Sequence, residues 1–107
     1  MNIKDQFKTI EAEDAALYLE DTLGHKKIWQ KMIHLLTQNE EQTILFLNDC
    51  TQDEVLTASE VFEEVSQQLQ SRAFIDCLRQ LDKKYPAANL TEFIDAAEML
   101  VENASLD

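Results

Sequence analysis

Glycine and proline are nearly missing from this chain, which has one of each, Gly24 and Pro86, in 107 residues. So few turn formers and breakers exclude a glycine-rich phosphate loop and leave long stretches free to coil as helix. Basic residues are scarce too. No Lys or Arg occurs between Met32 and Ser71, whereas Glu40, Glu41, Asp49, Asp53, Glu54, Glu60, Glu63 and Glu64 fall there. The net charge of −12 opposes direct binding to nucleic acid, whose phosphates need Lys and Arg to displace counterions, and to an anionic membrane. The sequence holds no apolar run of about 18 residues, and its start, MNIKDQFKTIEAED, is too acidic and polar for a secretory signal. A cytoplasmic protein is expected. Cys50 and Cys77 lack a Cys-x-x-Cys spacing and a neighbouring His, so two reduced, partly buried thiols are expected rather than a disulfide or metal site.

What is present favours helix. Ala, Leu, Glu, Gln and Lys are abundant, and 45% of the residues are hydrophobic, enough for one core at this length. The expected fold is all-α: a compact bundle of about five or six helices in a single domain spanning residues 1–107.

Ile10 to Leu23 place Ala12, Ala15, Ala16, Leu19 and Leu23 on one face, with Gly24 where a left-handed cap often follows. A second helix, to about Gln38, has the stripe Ile28, Met32, Leu35 and Leu36, with Trp29 and Ile33 beside it. Asn39 can cap a third helix holding the run Ile44 to Leu47. Thr51 and Glu54 match a capping box, and beyond them Val55, Ala58, Phe62, Val65 and Leu69 recur at helical spacing, predicting one continuous helix. Ser71 can cap the next, with the stripe Phe74, Leu78 and Leu81, ending at Tyr85 and Pro86. Thr91 can cap a last helix burying Phe93, Ala97 and Leu100.

No chemistry-bearing constellation emerges. Carboxylates are many, but nothing selects an acid and base pair. Neither His25 nor His34 follows a Glu at the three-residue spacing of helical di-metal sites, and Ser59 and Ser66 have no nearby His. No catalytic, metal or cofactor site is therefore assigned. Trp29, among Lys26, Lys27 and Lys31, resembles a stacking platform, although its apolar neighbours place it at a core edge. The acidic block has two readings, a solubilising face or a surface that steers and registers a basic protein partner. For the second reading the contact residues are Asp53, Glu60, Glu63 and Glu64, with Asp49 at the edge.

The order SEVFEEVS, LQSRAFIDCLRQLDKKYP, NLTEFIDAAEML across Ser59 to Leu100 resembles a helical family of bacterial immunity proteins, encoded beside polymorphic toxins including those of contact-dependent growth inhibition. Phe62, Phe74, Leu78, Leu81, Tyr85 and Pro86 carry the resemblance. It implies a protein that is not an enzyme and that neutralises a cognate toxin domain, commonly a nuclease, by stoichiometric binding. The alternative is a small acidic adaptor or regulatory protein that binds a basic segment of another protein.

Overall fold

Local signals set most helix limits. The computed structural model describes residues 2–16 and 22–101, and over these the chain forms seven α-helices and one short 3-10 turn. They are α1 (Ile3–Ala15), α2 (Thr22–Leu36), α3 (Glu40–Asn48), α4 (Gln52–Ser59), α5 (Phe62–Leu69), α6 (Arg72–Lys84) and α7 (Thr91–Met99), with the 3-10 turn at Pro86–Ala88.

Three caps expected from the sequence are in place. The Asn39 side chain accepts from the amide of Gln42 at 3.0 Å. Thr51 and Glu54 close a reciprocal capping box: the hydroxyl accepts from the Glu54 amide at 3.3 Å, and the Glu54 carboxylate accepts from the Thr51 amide at 2.9 Å. The Ser71 hydroxyl accepts from the Phe74 amide at 3.0 Å and donates to the Glu40 carboxylate, tying the start of α6 to the start of α3. Lys83 and Lys84 occupy the last turn of α6, where they complement the helix dipole, and Tyr85 and Pro86 end it.

The helix count is seven rather than five or six because the helix expected from Val55 to Leu69 breaks. At Glu60 and Val61 the amides bond three residues back, to the carbonyls of Thr57 and Ala58, and Val61 leaves the helical region at φ −118°, ψ 13°. The Ser59 hydroxyl donates to the Leu56 carbonyl at 2.6 Å, the local competition through which Ser disturbs a helix. Val61 and Phe62 are both buried on either side of the joint, so the apolar period continues through it.

The first helix also differs from expectation. It starts at Ile3, capped by Asn2, and buries Phe7 and Ile10, while Ala12, Ala15 and Ala16 are exposed. Alanine buries too little surface to outweigh a Phe and an Ile when one face must be chosen. Leu19 lies outside the described residues, while Leu23 and Gly24 fall in the first turn of α2, with Leu23 exposed and Gly24 not at the end of a preceding helix. Left-handed backbone instead falls on Gln70 (φ 48°) and Asn89 (φ 54°). Gln70 is held there by its side-chain amide, which donates to the carbonyls of Gln67 at 2.7 Å and Leu100 at 2.6 Å.

The core runs through all these helices. α1 packs on α2 and α3, α3 on α6, α6 on α7, and α5 on α7 and α2. Phe7 meets Phe46 at 4.9 Å between ring centroids, and Phe62 meets Phe74 edge-on at 6.4 Å and 87°. Met32, Leu36, Leu47, Ile75, Leu78 and Leu81 fill the space between, each essentially without solvent contact. The buried stripe of α7 is Leu90, Ile94, Ala97 and Val101, so Phe93, expected inside, is 44% exposed. Its N-cap is Leu90, with no side-chain cap; Thr91 is the first helical residue, and its hydroxyl donates to Asp82 at 2.7 Å instead. α6 and α7 are further joined by Arg79, which pairs with Asp95 at 2.8 Å and Glu98 at 3.0 Å, and by Arg72, which reaches Glu98 at 2.6 Å. No helix among the described residues is long and apolar enough to cross a membrane.

Candidate partner-binding face

α3, α4 and α5 contain no Lys or Arg, and the joint between α4 and α5 gathers much of their charge. Glu60 caps the C-terminus of α4, and Glu63 and Glu64 fall in the first turn of α5, where negative charge offsets a helix start that has no side-chain cap. All three are exposed. Asp53 is exposed in the first turn of α4, seven positions before Glu60, so the two share a face about 10 Å apart along the axis. Asp49 is exposed after α3 and pairs with Lys4 of α1 at 3.4 Å. The joint thus brings Glu60, Glu63 and Glu64 together, with Asp53 along the same helix face, while Asp49 sits at the opposite end of α4 against a basic side chain.

On this face the sequence reading misplaced Trp29. Ile28 and Met32 turn into the core, and Trp29, one residue beyond Ile28, is rotated about 100° from it and stays 40% exposed rather than at the core edge. Its indole N–H donates to Glu60 Oε2 at 2.8 Å, joining α2 to the end of α4. Two depressions share this pair as a wall. One, of about 250 Å³, is also lined by Lys26, Gln30, Ile33 and Glu64; the other, of about 330 Å³, by Asp14 and His25, which pair with each other at 2.9 Å. The sequence signal for this cleft was the aromatic ring set among charged side chains; Glu60, its hydrogen-bond partner, lies 31 residues away, and no spacing reveals it.

At the far end of α4 the electrostatics have a structural character. Glu54 is buried, and its Oε2 has no hydrogen-bond partner among the described residues. Burial raises the pKa of nearby Glu11 above the usual carboxylate value; a Thr57 hydrogen bond opposes the rise, Glu54 and Asp53 add to it and Lys8 works against it. Burial pushes the Cys50 thiol up to about 12, with Glu54 and Glu11 adding to the effect, and the Cys77 thiol to about 11. Both are free, buried cysteines, protonated at neutral pH and so poor nucleophiles. Among the described residues no group of three or more His, Cys, Asp or Glu side chains is arranged to hold a metal ion. The arrangement offers an acidic, aromatic-bearing surface. Comparison with protein-family models, with curated proteins and with solved structures finds no match to this chain.

Proposed function

We propose that this chain is an immunity protein that binds a cognate bacterial toxin domain, a nuclease with a basic substrate cleft, and neutralises it by stoichiometric binding that blocks its active site or its access to substrate. The observation that carries this reading is the face on which Asp53, Glu60, Glu63 and Glu64 are exposed on helices free of Lys and Arg, with a half-exposed Trp29 alongside. Carboxylates on such a face steer a basic protein and fix its register through Arg and Lys, while an aromatic residue supplies a contact anchor. A nuclease cleft shaped for phosphates has the complementary charge.

The test is co-expression with the C-terminal domain of a toxin encoded immediately upstream. Co-purification with loss of toxic activity is the expected result. The double charge reversal Glu60→Lys/Glu64→Lys should then weaken binding by about tenfold or more, equal to about 1.4 kcal/mol, with helical content unchanged. Failure to bind any neighbouring gene product would overturn the immunity role and favour an adaptor for a basic segment of another protein. Unchanged affinity in the double variant would move the interface elsewhere on the molecule.

A further inference from the structure

We propose that the cleft beside Trp29 is an arginine pocket: the guanidinium of an arginine side chain on a basic protein partner stacks on the indole while Glu60 and Glu64 accept its N–H groups. It rests on the reading that the acidic face meets a basic protein, and it names the side chain received there.

The geometry prepares each element of such a contact. The indole N–H donates to Glu60 Oε2 at 2.8 Å, so one edge of the ring is engaged while Trp29 as a whole stays 40% exposed. Among the described residues no Lys or Arg stacks on that ring. The cation–π contact found among the described residues is Lys84 over Tyr85, at 5.2 Å, and Lys26 lines the depression without stacking on the ring. Glu60 Oε1 and both oxygens of Glu64 carry no hydrogen bond or ion pair among the described residues, so acceptors stand beside a partly exposed indole. Asp14 walls the adjoining depression with Trp29 and Glu60 but is engaged by His25 at 2.9 Å, so the acceptors beside the indole are those of Glu60 and Glu64, with Lys26 the one Lys or Arg lining the depression they share.

Arginine fits this set better than lysine. Its planar guanidinium stacks on an indole and presents several N–H groups in one plane, enough to reach two carboxylates, whereas a lysine ammonium is a compact, strongly hydrated point charge. The 250 Å³ of the depression suits one side chain and not a folded element.

The single Trp of the chain makes the test direct, because its indole N–H gives one isolated nitrogen–proton resonance. The full chain is titrated with the blocked peptide acetyl-Gly-Arg-Gly-Arg-Gly-amide and with its lysine and citrulline counterparts. The arginine peptide should move the indole resonance saturably, the lysine peptide should bind about fivefold more weakly, and the uncharged citrulline peptide should leave it still. Glu60→Gln/Glu64→Gln should weaken the arginine peptide about tenfold with the circular dichroism spectrum unchanged. An unmoved indole resonance, or equal binding of the arginine and lysine peptides, would overturn the pocket. Trp29→Ala tested against the neighbouring toxin domain separates the two ideas. Full affinity in that variant would sink the pocket and leave the immunity role standing, whereas peptide binding without toxin binding would support the pocket and sink the immunity role.

Discussion

The indole of Trp29 and the carboxylate of Glu60 meet at 2.8 Å across 31 residues of sequence. That bond links α2 to the joint between α4 and α5 and engages one edge of a surface ring beside carboxylate oxygens that carry no partner among the described residues. Some acidic groups elsewhere are tied to cations of the chain, as Glu13 is to Lys31 at 2.6 Å and Glu98 is to Arg72 and Arg79. At Glu60 the partner is a neutral N–H, which leaves the charge uncompensated.

The capping box gives a first stability prediction. Thr51→Ala removes the acceptor for the Glu54 amide but keeps the backbone N–H that Glu54 binds, so half the box survives. A loss of about 1 kcal/mol is expected, read as a lower urea midpoint with an unchanged slope. Loss of less than a few tenths would mean that water replaces the hydroxyl at no cost.

A second prediction concerns the contact of α5 with α7. Ser66 is fully buried, and its hydroxyl donates to the Ala97 carbonyl at 2.7 Å. That carbonyl also accepts from the Leu100 amide at 3.2 Å, so Ser66→Ala leaves it partly satisfied. The expected cost is about 1 kcal/mol, at the lower end of the range for stranding a buried polar group. Hydrogen exchange of the α7 amides should quicken in the variant more than that of α3.

The third prediction is a pH dependence. The pKa of Glu11 is raised in the folded state, first by burial, so at a pH between the unfolded and folded values the folded chain retains a proton there that the unfolded chain has released. Stability from this group is present below the unfolded value of 4.5 and falls as pH rises through the raised folded value. Relief by Thr57 is partial, because its one hydroxyl hydrogen also serves the Asp53 carbonyl at 3.1 Å. Glu11→Gln should therefore raise the urea midpoint at pH 7, and the gain should vanish below pH 4.5. An equal gain at both pH values would assign the effect to packing instead of ionisation.

The amino-acid sequence by itself determined the all-α class and several helix limits. Asn39, Thr51, Ser71 and Pro86 act within three or four residues of their own position, through hydrogen bonds or ring sterics that no distant packing needs to supply. It also marked Glu60, Glu63 and Glu64 as exposed charge, because carboxylates stay in water unless paired. Only the tertiary structure decided which stripe of a helix wins the core and where an axis turns. The spacing of Ala58, Phe62 and Val65 runs unbroken through the joint at Glu60 and Val61, so periodicity could not reveal the break. Phe93 and Ile94 are adjacent and both apolar; α7 buries Ile94 because it falls in line with Leu90, Ala97 and Val101 against α5 and α6. Trp29 reached the surface for the same reason, since Ile28, Met32 and Leu36 took the inward face of α2 and left the indole to find Glu60. Local chemistry fixes the ends of helices, whereas their facing depends on which neighbours compete for the same apolar space.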